Sequence, residues 1–295
     1  MASGRGYLVV GGDSLVGGST FAALKRRGDR VIASTRRPST ISDERVFLDF
    51  EDPEAFRAPE GIDYAFVIAA ATNYERCEKD PAAQVINTEL IPRTVASLLS
   101  QGLFVTFIST NSVFGGERAW PHEDDPHDPR IPYARQKSEG EARVRALASA
   151  MGWADRLNIV RLTKILDGGV SPLPAWTAAW TRNEAIQPFS DLTFAPLSVR
   201  FVGEALARVG EARVAGNLHL SGAENIDYVS FARALAAHRG IDPRLIEPTT
   251  SVEKGVNIPF KPTFSGLGMA RTTDLTGVAP QPFAEVLADL DLPRA

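Results

Sequence analysis

The chain has 295 residues, enough for one large α/β domain or a domain with a smaller appendage. Its apolar fraction of 44%, charged fraction of 23% and formal net charge of -4 are ordinary for a soluble globular protein. The absence of a long basic block argues against a nucleic-acid partner, the lone Cys77 excludes an internal disulfide, and the longest apolar run, Ala65 to Ala71, is too short to span a bilayer. Met1 to Gly6 carries no secretory pattern, so a cytoplasmic location is expected.

Tyr7-Leu8-Val9-Val10 reads as a short buried strand. The glycine-rich stretch Gly11 to Gly18 follows, then a helical pattern through Arg27 that stops at Gly28, then a second strand from Arg30 to Ser34. Strand, glycine-rich turn, helix and strand in that order make a dinucleotide-binding unit. In such a unit backbone N–H groups at the helix start face a pyrophosphate, and glycine lets the backbone come close. A plain turn that tolerates glycine is the alternative, and the order of elements favours binding. An Asp or Glu at the end of the second strand would hold the ribose of NAD. Here Ser34-Thr35-Arg36-Arg37-Pro38 offers no acid. Two guanidiniums suit a 2′-phosphate, so NADP(H) is preferred over NAD(H).

Val46 to Phe50 reads as a third strand, and Ile62 to Ala71 contains a fourth. The fourth ends in Ala69, Ala70 and Ala71, and small residues at a strand's carboxyl end leave room for a ligand. Asp80-Pro81 opens a helix through about Gln101, with Asp as N-cap and Pro at the first helical position. Leu103 to Ser109 is a fifth strand, running into Thr110-Asn111-Ser112. A polar loop holds Pro121, Pro126 and Pro129. Its segment His122 to Asp128 has metal-ligand residue types but no helical spacing, so a solvated acidic lid is expected and no metal.

A helix then carries Tyr133 and Lys137 four positions apart, on one face and one turn from each other. An ammonium so placed stabilises a phenolate and lowers a pKa that is ordinarily about 10, which makes the tyrosine a general acid or base. Taken alone the pair describes any surface helix; a nucleotide-binding fold around it gives it meaning. Leu157 to Leu162 is a sixth strand. Strands alternating with helices over this length predict an α/β fold with a doubly wound parallel sheet of the Rossmann type.

From about Thr163 the pattern loosens. Asp167-Gly168-Gly169 and Ser171 to Pro174 are loop signals. Trp176 and Trp180 lie one helical turn apart, as in a helix docked on a core. Ser198 to Gly210 and Tyr228 to Gly240 read as amphipathic helices flanking a strand near Asn217 to Leu220, and the tail ends in an apolar helix. Residues 1–163 are thus expected to form the dinucleotide-binding domain. Residues 164–295 form a smaller, mainly substrate-binding region, with about 192–240 returning to the sheet. Arg182, Lys261 and Arg271 are candidate cations for a substrate diphosphate, and each is also readable as a surface charge. His219, His238 and Cys77, the last just before a helix start, need no catalytic role.

The segments VVGGDSLVGG (9–18), CEKDP (77–81), ISTNSVFGG (108–116), YARQK with SEGE (133–141) and HLSGAENIDYVSFARALA (219–236) carry a resemblance over nearly the whole chain. The sequence resembles the extended short-chain dehydrogenase/reductase superfamily, and within it the dTDP-4-dehydrorhamnose reductase-like group of sugar-nucleotide-binding proteins. The resemblance implies that Thr110, Tyr133 and Lys137 are catalytic: Thr110 bonds the substrate oxygen, Tyr133 donates a proton to a carbonyl, and Lys137 binds the nicotinamide ribose and lowers the Tyr133 pKa. It implies cofactor contacts at Gly11, Asp13, Ser14, Leu15, Val16, Gly17, Arg36, Arg37, Asp49, Phe50, Ala69, Ala70 and Ala71, besides Tyr133 and Lys137. Ser14 stands where the group has its middle glycine, and Asp49 matches an acid that holds adenine. Substrate contacts fall on Thr72, Asn111 and Ser112.

Dehydratases of the superfamily carry an Asp-Glu pair after the catalytic Thr; Asn111 and Ser112 shuttle no proton, which argues against dehydration. The similar reductases carry Asp-Tyr there, a second departure. Reduction of a keto-sugar, nucleotide-linked, with NAD(P)H is the first expectation. An epimerase, or an NADP-binding regulatory subunit without turnover, is the alternative. The resemblance also implies a homodimer that pairs helices 81–101 and 133–150.

Overall fold

The structure, a computed structural model, describes residues 5–292. Readings placed on Met1 to Gly4 and on the last three residues lie outside it. In chain order the elements are β1 (Gly6–Val10), α1 (Leu15–Arg26), β2 (Arg30–Thr35), β3 (Arg45–Phe47), β4 (Tyr64–Val67), α2 (Tyr74–Lys79), α3 (Pro81–Val85), α4 (Ile91–Ser100), β5 (Phe104–Thr110), α5 (Pro132–Ala150) and β6 (Leu157–Leu162). There follow β7 (Lys164–Leu166), α6 (Leu173–Thr181), β8 (Thr193–Phe194), β9 (Pro196–Ser198), α7 (Val199–Ala212), β10 (Gly216–Leu220), β11 (Ile226–Asp227), α8 (Tyr228–His238), α9 (Ala270–Thr276) and α10 (Phe283–Leu290).

Seven strands form one parallel sheet in the order β10-β6-β5-β4-β1-β2-β3. The order reverses between β1 and β4, which opens a crevice at their carboxyl ends. Both faces are covered, so the inner strands are apolar throughout rather than alternating. Tyr7 and Val9 of β1 pack with α1 and α7, whereas Leu8 and Val10 pack with α4 and α5. A third core holds Trp176, Trp180, Phe231 and Val286 from α6, α8 and α10, which confirms the docking role of the two tryptophans. Two small sheets, β8 with β11 and β7 with β9, lie outside the main one. Among the described residues no helix is long and apolar enough to cross a membrane.

The structure departs from the sequence expectations in three places that shape the site. The third strand is short, Arg45–Phe47, and sits at the sheet edge with Phe47 exposed. A helix not foreseen, α2, starts at Asn73, whose side chain accepts from the Arg76 N–H at 2.8 Å, so Cys77 lies within a helix. The long helix opens as expected, with the Asp80 carboxylate capping Ala82 N–H and Pro81 at the first position. It then widens into a π segment over Ile86–Leu90 before α4. Pro92 has no N–H to donate back along the helix, which accounts for the change of register just ahead of it.

That segment meets α5 at glycine. A Cβ on Gly140 would stand 2.7 Å from the Asn87 carbonyl oxygen, a backbone atom that has no rotamer to escape into. Gly140→Ala is therefore expected to destabilise the protein by about 1–3 kcal/mol through overpacking, despite alanine's better helix propensity. Denaturant unfolding of the variant measures this; an unchanged or raised midpoint would show that the two helices can move apart freely.

Candidate active site

The turn between β1 and α1 is built by two close approaches. Gly11 has φ +88°, a conformation that favours glycine, and a Cβ on Gly17 would stand 2.2 Å from the Gly11 carbonyl oxygen. Ser14 has φ -82° and needs no glycine there. Its hydroxyl donates to Gly11 O at 2.8 Å and accepts from Gly17 N–H at 3.0 Å, so it caps α1 and is already engaged within the turn. Beside this turn runs a groove of about 500 Å³ whose wall includes Gly11, Asp13, Ser14, Arg36, Arg37 and Phe50, and whose floor is Ala69, Ala70 and Ala71. Leu15 faces a separate cleft, Val16 packs against the core, and Gly17 serves close packing. Asp49 is exposed and accepts from Glu51 N–H at 3.0 Å; its neighbour Phe50 reaches the groove instead.

Arg36 and Arg37 line the groove, and Arg45 lines the neighbouring cleft. Arg37 pairs with Asp13 at 2.7 Å, and Arg45 of β3 reaches the same carboxylate at 2.6 Å. The Arg37 bond, helped by Thr35 and Arg45 against some desolvation, holds the Asp13 carboxyl down to about 2. Arg45 escaped the sequence reading because the third strand was placed one residue late. The glycine cradle and the first turn of α1 fit a dinucleotide.

A second cavity of about 490 Å³ adjoins the groove, and Thr72 lines both. Its wall carries Thr110 and Tyr133 together. Thr110 ends β5, and its hydroxyl lies 3.1 Å from the Ser112 hydroxyl and accepts a hydrogen bond from Ser112 N–H. Tyr133, in the first turn of α5, lines the same wall as Thr110. Burial pushes its phenol well above the ordinary tyrosine value, the nearby Thr110 hydroxyl opposing this only in part. The expected depression by Lys137 is not seen. The Lys137 ammonium instead donates to Ile108 O at 2.8 Å and sits 4.3 Å over the Phe107 ring. Lys137 is buried, and desolvation lowers it to about 8, with Glu141 opposing. The two hydroxyls thus converge on the cavity, and the amine lies one turn behind them against β5.

Asn111 lines the cavity and also donates to Ser265 O at 2.8 Å, drawing the C-terminal segment over the site. Ser112 is 1% exposed beneath Thr110 and does not reach the wall, so it supports the threonine rather than touching substrate. Tyr74 and Tyr228 line the cavity and were missed. Tyr74 lies on the unforeseen α2, its ring 5.2 Å from that of Tyr133, and Tyr228 stacks on Phe194 at 4.4 Å. None of the three cations proposed for a diphosphate is free: Arg182 pairs with Glu184 at 2.7 Å, Lys261 with Asp191 at 2.7 Å, and Arg271 with Asp124.

The loop before α5 is exposed at His122, Asp124, Pro126 and Asp128, as expected of a solvated acidic segment, but it is anchored from beneath rather than free. Arg161, on β6 and 1% exposed, donates to Glu123 O at 2.9 Å and to His127 Nε2 at 2.9 Å. It also pairs with Glu141 at 2.8 Å and donates to His219 Nε2 at 3.1 Å. His219 Nδ1 donates to Gly268 O, and burial with the Arg161 charge holds its imidazole neutral, at about 3. One guanidinium thus pins the loop and the C-terminal segment to α5. His238 pairs with Asp291 at the surface. Cys77 is buried, its thiol bonded to Ala71 O and pushed up by burial, as suits an inert packing residue.

A doubly wound parallel sheet with a threonine, a tyrosine and a lysine gathered beyond its carboxyl edge defines an extended short-chain dehydrogenase/reductase-like protein. The chain belongs to the RmlD substrate binding domain family, whose model matches residues 5–291. It is similar to the spore coat polysaccharide biosynthesis protein SpsK of Bacillus subtilis, 26% identical over 286 residues and covering 96% of this chain and 95% of that one. It is 29% identical over 246 residues, 79% of each chain, to a probable dTDP-4,6-dihydroxy-2-methyloxan-3-one 4-ketoreductase of Streptomyces antibioticus. The fold matches a dTDP-4-dehydrorhamnose reductase from Bacillus anthracis solved in complex with NADP, with a TM-score of 0.81 at 18% identity over 99% of this chain and 98% of that one.

The buried pair under the site makes its own prediction. Burial alone would raise Glu141, but Arg161's hydrogen bonds and charge outweigh it and hold the carboxyl at about 2, below the ordinary 4.5. A depressed carboxyl stabilises the fold above its unfolded value and loses that contribution as pH falls from about 4.5 to about 2. Arg161→Met removes the buried partner of Glu141 and leaves it only the more exposed Arg145, 2.6 Å away, an expected cost of about 2–3 kcal/mol at neutral pH. The loss should shrink as Glu141 is protonated in acid. Thermal unfolding of both proteins across that range checks it, and a pH-independent difference would contradict it.

Proposed function

We propose that the protein is an NADPH-dependent reductase of a nucleotide-linked keto-sugar. The observation that carries this reading is that Thr110 and Tyr133 share the wall of a cavity adjoining the dinucleotide-fitting groove. The relatives support the substrate class, since the Streptomyces antibioticus relative bears a name for reduction of a dTDP-linked ketone. Residues 1–163 supply the cofactor site and 164–295 most of the substrate side. A cytoplasmic homodimer pairing α4 and α5 belongs to the same reading.

The cofactor supplies a hydride to the carbonyl carbon. The chain's own residues do the rest. Gly11, the first turn of α1 and the alanines at the end of β4 cradle the dinucleotide, and Arg36 and Arg37 hold its 2′-phosphate. Thr110 and Tyr133 both direct a hydroxyl at the ketone oxygen and stabilise the charge that develops there. Tyr133 then yields its proton to that oxygen. A phenol kept fully protonated by burial is in the right state to donate. Lys137, charged through neutral pH with a value of about 8, stands one turn away to bind the nicotinamide ribose.

The test is NADPH consumption by purified protein against a panel of dTDP- and UDP-linked keto-sugars. Turnover is expected with a 4-keto-6-deoxy sugar nucleotide, and Tyr133→Phe should lose about a hundredfold or more in kcat with cofactor affinity retained. No turnover over the whole panel together with tight NADP binding would contradict the reductase and favour a regulatory role.

Cofactor choice gives a separate test. Arg36→Ala with Arg37→Ala should raise the KM for NADPH by about 10- to 100-fold and leave that for NADH within about threefold, since only the phosphate is lost to them. An equal rise for both cofactors would place the arginines elsewhere than at the 2′-phosphate.

A further inference from the structure

The cavity holding Thr110 and Tyr133 is walled by hydroxyls, an amide and aromatic rings, with one cation, Lys164, and no carboxylate. Lys164 opens β7, two residues past the end of β6, and pairs with Pro196 in a small parallel sheet beside the cavity. Among the described residues nothing neutralises it. Its side chain makes no ion pair, whereas Arg182, Lys261 and Arg271 each have an acidic partner. The side chain is accessible through the open cavity, yet enough protein crowds it that desolvation alone lowers its pKa below the ordinary lysine value, with no charged neighbour to offset this. An ammonium on the wall of a cavity that holds no counter-charge attracts an anion brought in by a ligand.

We propose that Lys164 is the anion-recognising residue of the substrate cavity, taking an anionic oxygen group of the substrate, either the diphosphate or a carboxylate on the sugar. This rests on the sugar-nucleotide reading above, and its chemistry is separate from the reduction. Tyr74, Phe194, Tyr228 and Phe260 offer flat apolar surface for a base or a sugar ring. Thr110 and Tyr133 offer hydrogen bonds to the reacting oxygen. Only Lys164 supplies fixed charge, so it decides whether the occupant is anionic. The sequence motif alone does not single it out, because Lys164 lies where the strand pattern has already ended.

Calorimetric binding to wild type, Lys164→Met, Lys164→Gln and Lys164→Arg tests this without turnover, using dTDP, UDP-glucose, UDP-glucuronate and NADP as probes. The Met and Gln variants are expected to lose about tenfold or more in affinity for the anionic group, with Arg retaining most of it and NADP binding unchanged. A loss for dTDP and for both UDP-sugars alike identifies the diphosphate as the partner. A loss confined to UDP-glucuronate identifies the carboxylate. Wild-type affinity for every probe in the Met and Gln variants overturns the proposal, and so does a loss for NADP alone. A wild type that binds none of the nucleotide probes overturns this proposal and the sugar-nucleotide reading together. Intact, Lys164-dependent binding without turnover on any keto-sugar overturns only the reductase.

Discussion

One buried carboxamide, that of Asn87, ties the parts of the site together. Its oxygen accepts from Ala71 N–H at 3.0 Å, and its nitrogen donates to Ala71 O at 2.9 Å and to Gln136 Oε1 at 2.9 Å. Gln136, next but two to Tyr133 on α5, donates onward to Cys77 O at 2.8 Å. The cofactor floor after β4, the helix that carries Tyr74 and the helix that carries Tyr133 are therefore fixed by one chain of amides. Each of these groups is buried, so a missing partner would leave an unsatisfied dipole at a cost of about 1–3 kcal/mol. Gly140 completes the arrangement by letting α5 lie directly on the Asn87 backbone. The π segment that places Asn87 is a local irregularity maintained at the site it serves.

Charge is distributed in keeping with this frame. The buried ion pair of the region, Arg161 with Glu141, lies behind the cavity wall and holds the overlying loop. The Thr110 and Tyr133 hydroxyls of the cavity wall stay neutral, Tyr133 by burial. Lys137 is the one buried ammonium near them, and a backbone carbonyl and an aromatic face hold it. The cavity's own charge comes from Lys164 on the far wall.

The sheet was legible because its strands are apolar on both faces and are punctuated by glycine, as at Gly11 and Gly28. The glycine turn and the i, i+4 pair in α5 were legible for the same reason: local spacing carries their geometry. What escaped depends on distance in space. Asn87 reads as one polar residue in a long helix, and only the fold shows that it meets Ala71 and Gln136. Tyr74 was lost because a six-residue helix leaves little periodic signal. Arg161, buried in the middle of a strand, gave no hint of the two histidines and the glutamate it would join. The expectation that Lys137 would lower the Tyr133 pKa failed because burial acts on both groups, and it favours the neutral form of each.

The central claim is that Thr110 and Tyr133 work as a unit on a single substrate oxygen. A double-mutant cycle on kcat/KM, with Thr110→Val, Tyr133→Phe and the pair, measures this most directly. The account predicts strong non-additivity, the double variant being little worse than the poorer single one. Losses that multiply independently would show that the two hydroxyls serve different atoms, and would contradict it.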